Sequence, residues 1–108
     1  MSDTQQRIDD IVKSSDVVLF MKGTAQSPQC GFSGRAIEIL KSNGVTKLVT
    51  VNVLEDEEVR SAIKTFSQWP TIPQLYVGGE FIGGSDIMGE MNTSGELKTA
   101  LVQAGATE

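Results

Sequence analysis

Residues 17–33 read VVLFMKGTAQSPQCGFS, an apolar run followed by a polar loop and a cysteine. The run at 17–21 is continuous and β-branched, as strands inside a parallel sheet are. A helical pattern begins near Phe32, so Cys30 stands at a strand-to-helix junction. Unpaired backbone N–H groups collect at a helix start and favour the thiolate, which is the form of cysteine that attacks disulfides and binds metals.

Cys30 is the only cysteine in the 108 residues, and Ser33 stands where a C-x-x-C motif would carry its second cysteine. A disulfide within the chain is therefore impossible, and redox or metal chemistry must use thiols from other molecules. The chain has no histidine, which excludes Cys/His zinc sites and Cys–His catalytic pairs. A lone buried cysteine is usually just a small apolar residue, but the position of Cys30 between a polar loop and a helix start argues against that interpretation.

The composition is that of one globular domain over residues 1–108, with 39% hydrophobic residues and a net charge of -5. The acidic balance argues against nonspecific nucleic-acid binding, and a single cysteine fits a reducing compartment. No apolar run approaches the roughly 20 residues of a membrane-spanning helix. The polar start resembles neither a secretory signal nor an Arg-rich transit peptide. We therefore expect a cytoplasmic protein with no nucleic-acid or membrane partner, or a mitochondrial-matrix protein if a transit peptide has been removed.

Sequence periodicity predicts five helices and four strands in the order α-β-α-β-α-β-β-α-α. Thr4 is the candidate cap of a first helix that runs to about residue 13. The later helices are predicted over 31–43, 55–66, 84–91 and 96–103, and the strands over 17–21, 48–53, 74–77 and 80–83. The first two strands should be parallel, and the last two should form an antiparallel hairpin around residues 78–79. The prediction is an α/β fold with a four-stranded mixed sheet flanked by helices on both faces, a core over about 4–103 and a frayed tail over 104–108.

Five segments stand out in the chain, in the order Met21-Lys22-Gly23, the loop ending in Pro28, Cys30-Gly31-Phe32-Ser33, Trp69-Pro70-Thr71-Ile72-Pro73-Gln74-Leu75-Tyr76 and Gly83-Gly84-Ser85-Asp86. Together they resemble the monothiol glutaredoxins of the CGFS type, which have the thioredoxin fold. The resemblance covers roughly residues 4–103 and implies a protein that binds glutathione and a [2Fe-2S] cluster. Two protomers would each give one cysteine thiolate and two glutathiones the others, which agrees with one cysteine per chain because such a cluster needs four thiolates.

The resemblance also implies the site residues. Cys30 would be the cluster ligand and the reactive thiol, Lys22 would stabilise its thiolate and meet a glutathione carboxylate, and Arg60 would clamp the glycine carboxylate. Ile72, before a cis proline, would offer its backbone N–H and C=O to glutathione. The backbone N–H groups of Ser85 and Asp86 would hold the γ-glutamyl carboxylate, with the Asp86 carboxylate on the ammonium group.

Each of these assignments has a purely structural alternative. Lys22 and Arg60 could be solvated surface residues, with Arg60 paired to Glu57 at helical spacing, and Lys64 one turn further on stays outside the predicted site. Ser85 and Asp86 could simply cap a helix. Trp69 could be core packing or could border the cluster site. Some family members carry cysteine at position 85, and the serine here removes that second thiol.

Two functions follow from the resemblance, and a third is an adaptor with an inert thiol. The first is iron–sulfur cluster carriage by a homodimer that is monomeric without the cluster, with BolA-type proteins and iron–sulfur acceptor proteins as partners. The alternative is a glutathione-dependent thiol-disulfide oxidoreductase that uses Cys30 as nucleophile for deglutathionylation. That activity is expected to be weak at most, since the long loop over 23–29 is a family feature associated with weak activity.

Overall fold

The computed structural model describes residues 3–107, and over this range the helices and strands follow the predicted order. The bounds are α1 Asp3–Lys13, β1 Val17–Met21, α2 Gly31–Ser42, β2 Val49–Asn52, α3 Glu57–Ser67, β3 Gln74–Val77, β4 Glu80–Gly83, α4 Ser85–Ser94 and α5 Glu96–Gln103. No helix in this range is long and apolar enough to cross a membrane.

The four strands form one mixed sheet in the order β2-β1-β3-β4. β1 pairs in parallel with β2 and antiparallel with β3, and β3 pairs antiparallel with β4, as predicted. The β3–β4 turn consists of Gly78 and Gly79, both with positive φ (60° and 82°), which is the backbone that a two-residue hairpin requires. The parallel pairing of β1 and β2 places Met21 beside Asn52 and brings the chain after both strands to the same end of the sheet.

Two hydrophobic cores lie on opposite faces of the sheet. Alternation along β1 sends Val17, Leu19 and Met21 into one core and Val18 and Phe20 into the other, and all five side chains are fully buried. The first core is completed by α2, α4 and α5, and the second by α1 and α3. The prediction of a four-stranded sheet covered by helices on both faces is confirmed.

Three predicted helix boundaries differ from the structure by more than one residue. α1 begins at Asp3, so Thr4 is inside the helix rather than its cap, and its hydroxyl donates to the Glu58 carboxylate across the α1–α3 interface (3.2 Å). α3 begins at Glu57 rather than at residue 55, because Asp56 is extended and its carboxylate accepts the N–H of Val59 as an N-cap.

The third difference lies between the last two helices, where residues 92–95 were expected to form a linker. α4 continues to Ser94, and only Gly95, with φ +88°, separates it from α5. The Thr93 hydroxyl donates to the Gly89 carbonyl one turn back, and the Asn43 amide donates to the side chain of Asn92. These bonds satisfy polar side chains within a helix and explain why a polar sequence does not break it here.

The tail over 104–108 was expected to fray; residue 108 lies outside the described residues, and residues 104–107 are hydrogen-bonded to α5 and to the end of α2. The Ala106 N–H donates to the Leu101 carbonyl, and the Thr107 hydroxyl donates to the Asn43 carbonyl at 2.9 Å. Lys98 donates to the same Asn43 carbonyl at 2.8 Å. The end of the described chain is thus attached to the end of α2, on a surface that does not include Cys30.

Candidate functional site

The six residues predicted for the site line a single cleft of about 510 Å³. Lys22 and Cys30 reach it from the two ends of the loop after β1, and Arg60 reaches it from α3. The segment between α3 and β3 and the first turn of α4 complete the wall. The lining residues are Lys22, Cys30, Phe32, Arg60, Lys64, Trp69, Pro70, Thr71, Ile72, Pro73, Gly84, Ser85, Asp86 and Ile87.

Cys30 is the N-cap residue of α2, in extended backbone conformation (φ -148°, ψ 135°). Its side chain is partly exposed and makes no capping hydrogen bond. The sulfur nevertheless faces the amides of the first helical turn. The pKa of the Cys30 thiol is lowered, mainly by the backbone N–H of Ser33. The Phe32 N–H, the Lys22 charge and the Ser33 hydroxyl lower the pKa further, and burial opposes them. The site therefore favours a thiolate open to the cleft.

Ser33, which replaces the second cysteine of a C-x-x-C motif, is fully buried. Its hydroxyl oxygen accepts a hydrogen bond from the Lys22 backbone N–H at 3.0 Å. This bond joins the first turn of α2 to the residue that follows β1. Ser33 thus connects α2 to the end of β1 and helps to stabilise the Cys30 thiolate. A cysteine at the same position could instead form a disulfide with Cys30.

Three cationic side chains line the cleft, those of Lys22, Arg60 and Lys64. None of them forms an ion pair with any residue in the range 3–107. The alternative of an Arg60–Glu57 pair on the surface of α3 is therefore not what the structure contains. Cations that face a cleft without partners are available to an anionic ligand.

The first turn of α4 presents unpaired backbone N–H groups to the cleft. The first hydrogen bond of this helix runs from the Met88 N–H to the Gly84 carbonyl, so the amides of Ser85, Asp86 and Ile87 precede it. The N-cap residue is Gly84, and no side chain among residues 3–107 caps the helix, so the alternative of Ser85 and Asp86 as plain N-caps is wrong. The Asp86 side chain is 89% exposed and lies 4.0 Å from the Arg35 guanidinium.

Ile72 and Trp69 form the wall between α3 and β3. The Ile72–Pro73 peptide bond is cis, as the resemblance implied, and the Ile72 backbone N–H and C=O form no hydrogen bond within residues 3–107. Trp69 packs against Phe81, with ring centroids 5.9 Å apart. Its indole nitrogen is buried and has no hydrogen-bond partner among the described residues. Both residues combine packing with a position on the cleft.

The arrangement suits a thiol-containing ligand with negative charges at two places. Unpaired cations and two helix N-termini attract carboxylates, and the Asp86 carboxylate attracts a cation. The thiol of Cys30 lines the same cleft as these groups. The described residues contain no group of three or more metal-ligating side chains, so a metal held here would need ligands from outside the chain.

The sequence model of the glutaredoxin family matches residues 17–82. The chain belongs to the glutaredoxin family. Its single cysteine in the sequence Cys-Gly-Phe-Ser makes it a monothiol glutaredoxin of the CGFS type, as the motifs predicted. A relative, monothiol glutaredoxin-5, mitochondrial, from Schizosaccharomyces pombe, is 54% identical over 95% of this chain and 72% of its own length.

Solved structures agree with this glutaredoxin assignment. The solution structure of reduced poplar apo GrxS14 is 48% identical, with a TM-score of 0.82 over 95% of this chain and 94% of that protein. The crystal structure of a buckwheat glutaredoxin–glutathione complex has a TM-score of 0.86 over 97% and 93% of the two chains. At 24% identity the buckwheat protein establishes the shared fold alone.

All six site residues predicted from the sequence line the cleft, and Lys64, which was not among them, lines it as well. The signal for Lys64 was present, because it follows Arg60 by one helical turn on the same face of α3. Phe32 is 60% exposed beside the reactive thiol, whereas the sequence predicts it as a member of the apolar set of the second helix. Its exposure could not be read from a sequence in which it begins an apolar helical pattern.

Proposed function

We propose that this glutaredoxin binds glutathione in the cleft and carries a [2Fe-2S] cluster between two protomers. The observation that carries the proposal is one activated thiol per chain, placed on a cleft with unpaired cations and exposed helix amides. Four thiolates are needed, and one chain supplies one. Cys30 from each of two chains and the thiols of two glutathiones complete the set.

The proposed pose follows the charges of the cleft. The glycine carboxylate of glutathione lies at Lys22 and Arg60, and Lys64, which lines the same cleft, adds a third positive charge. The backbone of Ile72 pairs with the extended tripeptide. The γ-glutamyl carboxylate lies at the amides of Ser85 and Asp86, with the Asp86 carboxylate on the ammonium group. The buckwheat glutaredoxin, which shares the fold with this chain, was solved in complex with glutathione.

Assembly and partners follow from the ligand count. The protein without cluster is a monomer, and the cluster-bound protein is a homodimer, because the cluster itself supplies the link between chains. Glutathione is a dissociable ligand, which suits transfer of the cluster to acceptor proteins. A BolA-type protein is the proposed partner that replaces one protomer. The cytoplasmic location stays a prediction, and the name of the Schizosaccharomyces pombe relative places that protein in mitochondria.

A second candidate, deglutathionylation, is favoured by the lowered pKa of Cys30. The thiolate attacks the glutathione sulfur of a mixed disulfide, the S–S bond breaks, and the target protein leaves as a thiolate that takes up a proton. Cys30 is then glutathionylated. A second glutathione thiolate attacks that bond and releases oxidised glutathione and the Cys30 thiolate.

Anaerobic reconstitution with iron, sulfide and glutathione tests the first function. We expect a visible [2Fe-2S] absorption band that co-elutes with a dimer, and that disappears when glutathione is removed by gel filtration. Cys30→Ser should give no band and remain monomeric with an unchanged circular dichroism spectrum. A band retained by this variant would show that the cluster has other ligands.

A further inference from the structure

Asn52, at the end of β2, joins two backbone segments beside the cleft. Its side-chain Oδ1 accepts hydrogen bonds from the Gly23 N–H and from the Leu54 N–H, each at 3.0 Å. The β1–β2 register places Asn52 next to Met21, the last residue of β1. The side chain thus fastens the start of the 22–29 loop to the neighbouring strand.

Gly23 is in contact with the end of the loop that precedes the reactive thiol. Its φ is +92°, and a Cβ here would lie 2.5 Å from the Gln29 backbone nitrogen and 2.6 Å from the Ser27 carbonyl oxygen. The returning end of the loop therefore packs directly on Gly23. The Gln29 N–H also donates to the Lys22 carbonyl at 2.9 Å, and Gln29 precedes Cys30. A shift of Gly23 must move both ends of the loop.

The backbone at 22–23 is consequently held from three directions. Ser33 accepts the Lys22 N–H from α2, Gln29 donates to the Lys22 carbonyl from the loop, and Asn52 accepts the Gly23 N–H from β2. Of these three residues, Asn52 alone belongs to an element outside the β1–loop–α2 segment that carries the thiol. The Val53 N–H also joins the end of β2 to the Met21 carbonyl at 2.9 Å, so Asn52 extends the β1–β2 attachment by one contact, to Gly23 of the loop.

We propose that Asn52 is a positioning residue that holds Lys22 and Cys30 in the geometry that sets thiol reactivity and glutathione affinity. The part that concerns glutathione rests on the proposed function, and the part that concerns the thiol does not. Asn52 acts through its acceptor oxygen, because its Nδ2 donates no hydrogen bond within residues 3–107. An aspartate at this position could accept the same two N–H groups.

The test compares Asn52→Ala with Asn52→Asp and with Thr50→Ala, a control on the same strand whose side chain makes no hydrogen bond to the described residues. In Asn52→Ala we expect faster hydrogen exchange at the Gly23 and Leu54 amides and an alkylation midpoint of Cys30 shifted to higher pH. Glutathione affinity should fall roughly two- to tenfold, the range of one lost hydrogen bond. Asn52→Asp, measured at high salt to screen its charge, should restore the amide protection and most of the affinity.

Several outcomes separate the alternatives. A variant Asn52→Ala that melts earlier but keeps the wild-type alkylation profile would overturn the proposal, because Asn52 would then be structural only. A shifted thiol profile with no measurable glutathione binding in any variant supports the positioning role and overturns the proposed function instead. If Asn52→Ala does not fold, Asn52→Gln is the loss variant, since it displaces the same oxygen by one methylene. Wild-type behaviour of a folded Asn52→Gln in all three measurements also contradicts the proposal.

Discussion

Arg60→Ala should weaken glutathione binding about tenfold with little effect on the stability of the fold. The Arg60 guanidinium lines the cleft and forms no ion pair within residues 3–107. Its removal therefore leaves no described carboxylate without its ion-pair partner in the free protein. A charge-assisted hydrogen bond to a carboxylate is worth about 1.5–3 kcal/mol. The cleft is open to solvent and Arg60 is only partly buried, so we take the lower end of that range, which is roughly tenfold in affinity.

Titration calorimetry of glutathione into the protein without cluster is the assay. Lys47→Ala is the matched control, because it makes the same change in net charge at an exposed site that does not line the cleft. Arg60→Lys should fall between wild type and Arg60→Ala, since it keeps the charge and loses the planar fork. Equal affinity of wild type and Arg60→Ala, with both folded, would refute the assignment of Arg60. An equal loss in Lys47→Ala would show that long-range charge, not local contact, is responsible.

Three further predictions concern the same cleft. Asp86→Ala should also weaken glutathione binding by about tenfold or more, measured by calorimetry. Its melting temperature should hardly change, because the Asp86 side chain is exposed and does not cap α4. Unchanged affinity would show that Asp86 is not part of the glutathione site. The pH profile of the Cys30 alkylation rate should have its midpoint below about 8.5, the pKa typical of a free cysteine, and a midpoint at or above that value would contradict this. Because folding lowers the pKa of this thiol, the thiolate should stabilise the fold above the unfolded pKa, and this stabilisation should be lost as pH falls through the folded pKa. Ser33→Ala should lower the free energy of unfolding, measured in urea, by about 1 kcal/mol, because the Lys22 N–H loses its acceptor. It should also shift the midpoint of Cys30 alkylation to higher pH. A variant as stable as wild type would mean that this hydrogen bond makes no net contribution to stability.

The sequence identified most of the fold where hydrophobic pattern and turn residues agree. β1 has the predicted bounds because five consecutive apolar residues are all buried between the two cores. The hairpin turn at Gly78-Gly79 was predicted because few residues other than glycine adopt two successive positive φ angles. The start of α3 was misplaced because an acidic run does not reveal which carboxylate turns back to cap the helix, and that residue is Asp56.

The site was predicted through the family resemblance, and the parts to which the resemblance assigns no role were missed. Residues 22, 30, 60, 72, 85 and 86 lie on one cleft as the resemblance implied. The role of Asn52 could not be predicted, since the hydrogen bond from its side chain to Gly23 spans 29 positions and depends on the exact β1–β2 register. The buried indole N–H of Trp69, which has no partner within residues 3–107, is likewise a property of packing that only the folded chain defines.

The most direct test of the central claim is native mass spectrometry of the reconstituted protein under anaerobic conditions. The account predicts one species in which two chains carry a single [2Fe-2S] cluster and two glutathiones, because the cluster takes four thiolates and each chain has one. When collisions in the mass spectrometer remove the glutathiones, the cluster should be released and the two chains should separate. A cluster bound to one chain, or a cluster-containing dimer without glutathione, would contradict the proposed ligand set.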